Sequence, residues 1–233
     1  MYDQPLFLRT LSGFARALPA AYDVENVLSD LAESVTAVLN LAGAGVSLSE
    51  GGRLQFFSAV NEASGTLERV QQQYQLGPCR DAYETGLPVC VRDVSERADE
   101  WPDYVSAAAQ AGIAGVAGVP MRLADEVIGA LNLYASGPRD WSDEDIAVAG
   151  VLADMATGLL VNASKRQQQQ QLNDQLQQAL ESRIVIEQAK GITAGHSGVS
   201  VDGAFQAIRG HARQHSTSLR SVAEAIVKVG LRV

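Results

Sequence analysis

The first 181 residues of this chain contain no histidine, and the whole chain of 233 residues has two cysteines and 6% aromatic residues. Without histidine, this long segment offers no imidazole for general base catalysis or for axial ligation of haem iron. Two cysteines, Cys79 and Cys90, cannot by themselves form a disulfide framework or a structural zinc site. The shortage of aromatic side chains implies a core built mainly of Val, Leu, Ile and Ala.

Other absences narrow the class of protein. No uninterrupted apolar run approaches the roughly 20 residues that a membrane-spanning helix needs. The first residues, MYDQP, lack the basic region of a secretory signal. No glycine-rich loop has the spacing of a phosphate-binding loop, and acidic pairs such as Glu50 and Glu62 have no recognised catalytic spacing. We therefore expect a cytoplasmic protein that does not contact membranes and is not an enzyme.

What the chain has instead is a reversal of charge near its C-terminal end. Residues 182–233 carry seven Lys or Arg against three Asp or Glu, a net charge of +4. Residues 1–181 carry 11 bases against 24 acids, a net charge of −13, and all three histidines lie in the basic segment. A compact basic segment on an acidic body predicts a partner-binding module, with a polyanion as the first partner to consider. A solvated helical face that happens to be basic is the other interpretation.

The acidic body alternates between helical and strand-like patterns. Apolar residues recur at helical spacing over residues 6–18 and again after Asp23, before the period changes at Gly43. The strand-like segments are 44–49, 53–60, 88–93, 113–122 and 126–134. An acidic run at 142–145 then begins a long helix. This order predicts an α+β domain with a mostly antiparallel sheet that is covered by helices.

Short motifs in the body mark turns and core positions. They are LGPC at 76–79, GLPV at 86–89, and the paired final strands at 112–120 and 127–133. With these motifs, residues 10–160 resemble a GAF sensor domain. The resemblance implies a pocket over the sheet, in which members of this family hold cyclic nucleotides, haem, bilins or small metabolites. The family's cyclic-nucleotide motif is not evident, so a small-molecule ligand is expected without being identified, and any cofactor is unknown.

The two cysteines leave one enzymatic alternative open. A GAF-like reductase of free methionine sulfoxide would use one cysteine as a thiolate nucleophile and a second to resolve it as a disulfide. Cys79 and Cys90 are eleven residues apart and could take these roles. Small buried cysteines are nevertheless common in protein cores, and we expect both residues to be structural.

A long helix without proline is predicted from Ser142 to about Ala194. Its middle is rich in glutamine, with eight in residues 167–178. The residues Leu172, Leu176, Ala179, Arg183 and Ile186 step by four, three, four and three, which is a heptad seam. Because the seam is short and partly polar, it predicts a weak parallel coiled coil that joins a homodimer. A solvated spacer between independent modules is the alternative.

Three helices fit the basic segment. The first is the end of the long helix, with Ile184, Val185, Ala189 and Ile192 as its apolar face and a break at Gly195 and Gly198. Ser200 and Ser218 are placed to cap the second and third helices. Phe205 and Ile192 are expected in the core of this small bundle.

The basic segment also carries an ordered motif. It reads Arg183-x-x-Ile186-x-x-Ala189-Lys190-Gly191-Ile192, then Ala204-Phe205 and Arg209-x-x-Ala212, then Leu219-x-x-Val222-Ala223-x-x-Ile226. Residues 181–228 thereby resemble an ANTAR domain, the RNA-binding module of bacterial transcription antiterminators. The resemblance implies recognition of paired RNA hairpins with six-base loops in a leader transcript, where binding prevents a terminator. Residues 193–195 depart from the family's usual Leu-Met-basic run.

The candidate RNA-binding residues combine cations for phosphate with polar groups for unstacked loop bases. They are Arg183, Gln188, Lys190, Gly191, Arg209, His211, Arg213 and Arg220. A DNA-binding helical bundle is the alternative for the same cations. The resulting prediction is a signal-responsive antitermination regulator with a GAF-like sensor domain at 1–160, a coiled-coil connector at 161–181 and an ANTAR domain at 182–233.

Overall fold

A computed structural model describes residues 2–17 and 23–233 and divides the chain into two compact units, 1–166 and 167–233. The helices of the first unit are α1 (Gln4–Ala17), α2 (Val24–Leu39), α3 (Glu62–Tyr74), α4 (Pro78–Thr85) and α5 (Pro102–Ala111). Its strands are β1 (Gly43–Glu50), β2 (Arg53–Ala59), β3 (Val89–Val91), β4 (Gly115–Leu123) and β5 (Glu126–Ala135). Helix α6 (Asp143–Ser197) begins in this unit and continues into the second.

The five strands form one antiparallel sheet in the order β2-β1-β5-β4-β3. Strands β1 and β2 are joined by Gly51 and Gly52, whose φ angles of 59° and 81° lie in the left-handed region that glycine adopts without strain. The predicted α+β class with a helix-covered antiparallel sheet is confirmed.

Helices cover both faces of this sheet. On one face, α1, α2 and the first turns of α6 bury aliphatic residues such as Leu31 and Leu152 against Val46 and Leu131. On the other face, α3 and α5 pack Leu67, Trp101 and Tyr104 against Val116 and Tyr134. The central strands β4 and β5 therefore bury side chains in both directions, which agrees with their high apolar content.

The predicted elements of this unit differ from the observed ones mainly at their ends. The helix predicted over residues 6–18 spans Gln4–Ala17, and Leu18 lies outside the described residues. The strand predicted at 88–93 is limited to Val89–Val91. Helix α4, which starts at Pro78, lies where the motif at 76–79 marked only a turn or core position.

The second unit contains the end of α6 with α7 (Val201–Gln214) and α8 (Leu219–Val229). Both predicted caps form, because the Ser200 hydroxyl accepts a hydrogen bond from the Gly203 N–H and the Ser218 hydroxyl accepts one from the Ser221 N–H. The core consists of Ala189, Ile208, Ala212, Val222, Ala223 and Ile226. The long helix and the helices that follow it are confirmed.

Several details of the second unit correct the sequence-based expectations. Helix α6 continues through Gly195 and ends only at Ser197, because Gly198 takes the left-handed φ of 66° that a continuing helix excludes. Ile184 and Ile192 are exposed, although both belong to the predicted apolar face, whereas Ala189 of the same face is buried. Phe205 is half-buried at the edge of the core.

Among the described residues, α6 alone has the length and composition to cross a bilayer, with an 18-residue window of mean hydropathy 1.7. Of this window, 44% is buried. The search of the sequence for an uninterrupted apolar run missed this window, because the window contains a few polar residues. Core helices of soluble proteins have the same property, and the first turns of α6 pack in the core of the first unit.

Candidate functional site

The side chains of Lys190 on α6 and Phe205 on α7 contact each other in the second unit. The Lys190 ammonium lies 5.6 Å from the centre of the Phe205 ring, a cation–π arrangement, and it donates to both carboxylate oxygens of Glu187 at 2.9 Å. The Lys190 side chain is only 16% exposed. The half-buried aromatic ring therefore supports the cation at the surface of the bundle.

Three arginines lie on the same side of the two helices as this contact. Arg183 precedes Lys190 by seven residues, or two helical turns, and so lies on the same side of α6. Arg209 and Arg213 follow Phe205 by four and eight residues on α7. All three arginines are exposed, and none makes an ion pair or a side-chain hydrogen bond within the described residues. We call Arg183, Lys190, Arg209 and Arg213 the basic strip.

The predicted residue Gln188 lies on another side of α6, and Arg220 of α8 contacts that side. Arg220 donates to Glu224 at 2.8 Å and approaches Glu181 to 3.6 Å, and Glu181 precedes Gln188 by two turns. The hydrogen bond to Glu224 raises the pKa of Arg220. Because its charge is already paired twice, Arg220 is less available to a phosphate than the arginines of the basic strip.

His211 and Gly191 complete the predicted set. His211 follows Arg209 by two residues, which places it across α7 from the basic strip, and its ring lies 4.3 Å from that of His215. Gly191 is exposed, and a Cβ at this position would meet no atom within 4 Å, so it does not serve the close helix packing that its small size suggested. The eight predicted residues are thus divided among several surfaces, and four of them share one.

A buried polar cluster in the first unit was missed by sequence reasoning. Glu68 on α3 is fully buried and accepts hydrogen bonds from Ser47 at 2.8 Å, Asn132 at 2.7 Å and Tyr134 at 2.6 Å. A Cβ on Gly45 would lie 2.3 Å from a Glu68 carboxylate oxygen, so this glycine leaves the room that the carboxyl group occupies. We call Glu68 with Ser47, Asn132 and Tyr134 the Glu68 cluster.

Burial raises the pKa of Glu68 from its ordinary 4.5 to about 7, although the hydrogen bonds from Tyr134, Ser47 and Asn132 oppose this effect. The Oδ1 atom of Asn132 and the hydroxyl of Tyr104 are also buried, and neither has a hydrogen-bond partner among the described residues. The Glu68 cluster therefore contains one group with a pKa near neutrality and one polar atom, the Oδ1 of Asn132, without a partner among the described residues.

The two cysteines are both free thiols and lie in different surroundings. Cys79 is buried at the start of α4, where burial raises the pKa of its thiol, and Cys90 lies exposed on β3 as a free thiol. Partial desolvation of the Cys90 thiol and the negative charge of Asp143 raise the pKa of this residue as well. A reductase would need a thiolate that is stabilised by its surroundings, and these surroundings favour the neutral thiol at both positions.

Comparison with known families assigns both units. The model of the GAF domain family matches residues 21–161, which is more than half of the chain, and that of the ANTAR domain family matches residues 174–227. The chain belongs to the GAF family and carries an ANTAR domain. This GAF–ANTAR architecture is that of a signal-sensing regulator with an RNA-binding output domain rather than that of an enzyme.

Solved structures resemble the GAF domain in fold. They include the GAF domain of an Acinetobacter phosphoenolpyruvate-protein phosphotransferase, with 16% identity, a TM-score of 0.55, and coverage of 68% of this chain and 94% of that one. A Coxiella burnetii GAF domain from a protein of the same name has 16% identity, a TM-score of 0.52 and coverage of 69% and 95%.

Some neighbours of this GAF domain are enzymes. The free methionine-R-sulfoxide reductase of Neisseria meningitidis, solved in complex with its substrate, has 16% identity, a TM-score of 0.52 and coverage of 69% and 91%. At such identities the likeness describes the fold alone. No match was found among curated proteins.

Proposed function

We propose that this GAF–ANTAR protein is a cytoplasmic homodimer that binds paired RNA hairpins in a leader transcript and promotes transcription antitermination. A signal at the GAF domain, such as a small molecule, controls this activity. The observation that carries the proposal is the basic strip, because it is a cationic surface on a domain of an RNA-binding family.

The basic strip has the chemistry that a folded RNA requires. Arg209 and Arg213 are one helical turn apart, about 6 Å along α7, and Arg183 and Lys190 are two turns apart on α6. Unpaired guanidinium groups can bind phosphate in a bidentate manner and stack on unpaired bases. The ion pair between Lys190 and exposed Glu187 is worth at most about 1 kcal/mol, so a phosphate can replace the carboxylate.

Exposed aliphatic residues on α6 support the homodimer. Leu172, Leu176, Leu180 and Ile184 are large, apolar and exposed. Leu172 and Leu176 occupy the predicted heptad seam, whereas Leu180 and Ile184 each lie one residue beyond a seam position. A stripe of this kind on a long helix is explained by pairing with the same stripe of a second copy.

RNA binding is tested by titrating the protein with a two-hairpin RNA, a single hairpin and a duplex DNA over a series of salt concentrations. We expect selective binding of the two-hairpin RNA. Lys190→Ala and Arg209→Ala should each weaken binding and lower the slope of log K against log salt by about 0.7 for each phosphate that the variant no longer neutralises. Lys228→Ala is the matched control, because Lys228 is an exposed cation of the same domain outside the basic strip.

Unchanged affinity and slope for both strip variants would reject the assignment of the RNA site. Equal binding of duplex DNA and hairpin RNA would instead favour the DNA-binding alternative. The reductase alternative predicts turnover of free methionine sulfoxide that is lost in Cys79→Ser, and no turnover by the intact protein rejects it.

A further inference from the structure

A cavity of about 300 Å³ lies in the second unit between the end of α6 and the segment after α8. Its walls are Ile192, Thr193, His196, Ser197, Gly230, Leu231, Arg232 and Val233. It is of the size at which small-molecule sites begin, and its lining mixes apolar and hydrogen-bonding groups. None of these lining residues belongs to the basic strip or to the buried core of the bundle.

The wall after α8 is fixed by the backbone. Gly230 takes a left-handed φ of 70°, which turns the chain back, and the Leu231 N–H donates to the Ala225 carbonyl oxygen at 3.2 Å. The Leu231 side chain packs against the bundle core. The cavity is therefore bounded by an ordered turn on this side and by a helix on the other.

Thr193 supplies the second observation. It is 5% exposed, yet its hydroxyl makes no side-chain hydrogen bond within the described residues. The hydroxyl is not among the fully buried atoms that lack a partner, so it is open to the cavity and can form a hydrogen bond with water or a ligand there. His196 and Ser197 offer further donors and acceptors at the rim, and Ile192 keeps an exposed apolar side chain beside them.

The position of the cavity connects it to the basic strip. Ser197 follows Lys190 by seven residues, as Lys190 follows Arg183, so the three lie along one side of α6 at steps of about 10 Å. A nucleic acid strand that contacts Arg183 and Lys190 through phosphates reaches the mouth of the cavity next. Arg232 lies at this mouth and adds another cation.

The composition of the domain favours a base as the occupant. Residues 167–233 contain no Trp or Tyr, and their only Phe is Phe205, whose ring faces Lys190. Recognition of unstacked RNA bases normally uses aromatic platforms. A cavity lined by both apolar and hydrogen-bonding groups provides an alternative place for one such base.

We propose that this cavity receives one unstacked loop base of the bound RNA, with Ile192 and Leu231 against its faces and Thr193 and His196 hydrogen-bonded to its edge. This inference rests on the proposed RNA-binding function and assigns a base-binding role to Thr193, in the segment that departs from the ANTAR pattern.

The test combines protein variants with modified RNA. Thr193→Val removes the hydroxyl and keeps the shape, and Ser197→Trp fills the cavity from its rim. The probes are a two-hairpin RNA with six-base loops and a series in which each loop base in turn is replaced by an abasic site. Val229→Trp is the control, since Val229 is exposed and does not line the cavity.

We expect Thr193→Val to weaken binding of the intact RNA about fivefold and Ser197→Trp at least about tenfold. At one loop position, the abasic RNA should bind weakly to the unmodified protein and equally weakly to Thr193→Val, because the interaction is already missing. Circular dichroism establishes whether each variant is folded. If Ser197→Trp does not fold, Thr193→Val still tests the inference.

If both variants bind the intact RNA as the unmodified protein does, while Lys190→Ala weakens binding, the cavity does not hold a base and the RNA-binding proposal stands. The inference would also be overturned if Thr193→Val lowered the affinity for every abasic RNA by the same factor as for the intact RNA. If the unmodified protein does not distinguish hairpin RNA from duplex DNA, the proposed function itself fails.

Discussion

Glu68 is surrounded by three hydrogen-bond donors, but its carboxyl group is more basic than in water because the fold excludes solvent from it. The neutral acid fits the site, since its proton can be donated to the hydroxyl of Ser47. In its neutral form the Glu68 cluster carries no net charge. Above neutral pH, the same cluster must hold a buried anion.

This shift predicts how the stability of the GAF domain depends on pH. The pKa of Glu68 is higher in the folded than in the unfolded chain, so the unfolded state releases its proton first as pH rises. From pH 4.5 to about 7, this one group should lower the free energy of unfolding by roughly 3 kcal/mol, with no further loss above that range. In Glu68→Gln this component of the pH dependence should be absent.

Denaturant unfolding monitored by tryptophan fluorescence measures the effect, because both tryptophans, Trp101 and Trp141, lie in the first unit. The control is Glu62→Gln on the same helix, whose carboxylate is 85% exposed. The same slope of stability against pH in Glu68→Gln and the unmodified protein would contradict the assignment.

Sequence reasoning missed Glu68 for a physical reason. The buried side of α3 includes Ser64, Leu67, Glu68 and Gln71, so it lacks the apolar stripe by which buried faces are found. The acidic pair that the sequence analysis considered for catalysis, Glu50 and Glu62, is exposed. The donors for Glu68 come from β1 and β5, more than 20 residues away on either side, and no local pattern connects them.

At the scale of the elements, two glycines near the end of α6 differ in their backbone. Gly195 lies inside the helix and Gly198 just beyond it, and neither has an atom within 4 Å of where a Cβ would lie. Composition makes the two equivalent, which is why a break was predicted at both. The left-handed φ at Gly198 distinguishes them.

Alanine at each glycine should therefore have opposite effects on the ANTAR domain. Gly195→Ala should stabilise it by about 0.5–1 kcal/mol through helix propensity, whereas Gly198→Ala should destabilise it by about 1–2 kcal/mol through left-handed strain. Hydrogen exchange of the α8 amides measures both effects, and we expect about two- to fivefold slower exchange in Gly195→Ala and at least about fivefold faster exchange in Gly198→Ala. Faster exchange in Gly195→Ala would show that α6 does not continue through this residue.

The leucine stripe on α6 gives a second prediction at this scale. Replacing Leu176 and Leu180 with Glu places charges between the paired helices and should convert the dimer to a monomer in sedimentation velocity. Val229→Glu introduces the same charge at a residue that is 78% exposed on α8 and should leave the dimer intact. A dimer that survives the double variant would place the interface elsewhere.

For the whole molecule, the opposite charges of the two segments limit where an RNA can bind. The body repels a polyanion, and the basic strip attracts it, so read-through should depend on a few side chains. Transcription in vitro from a template with a two-hairpin leader and a terminator tests this dependence. The unmodified protein should increase read-through, the double variant Lys190→Ala with Arg209→Ala should abolish the increase, and Lys228→Ala should retain it.

Read-through that is insensitive to the double variant would separate antitermination from the basic strip. The variants are compared under conditions in which the unmodified protein increases read-through.

The presence of a GAF and an ANTAR domain could be predicted because long ordered motifs and a change of charge mark them. The side of each helix that faces the core was harder to predict, as the exposure of Ile184 and Ile192 illustrates. Both fit an apolar face by type, and only the packing of Ala189 against α7 and α8 decides which neighbours are buried. The cavity beside Thr193 depends in addition on the turn at Gly230, which has no counterpart in helical periodicity.

Because Cys79 is buried, the rate at which its thiol is labelled measures how often the GAF domain opens. A thiol-specific reagent meets Cys90 at the surface at once, whereas it reaches Cys79 only when α4 moves away from the sheet. The slow phase of labelling therefore times the opening of the domain, and the fast phase provides an internal standard. Compounds that slow the second phase without changing the first can be screened as signals, with no added dye or engineered label.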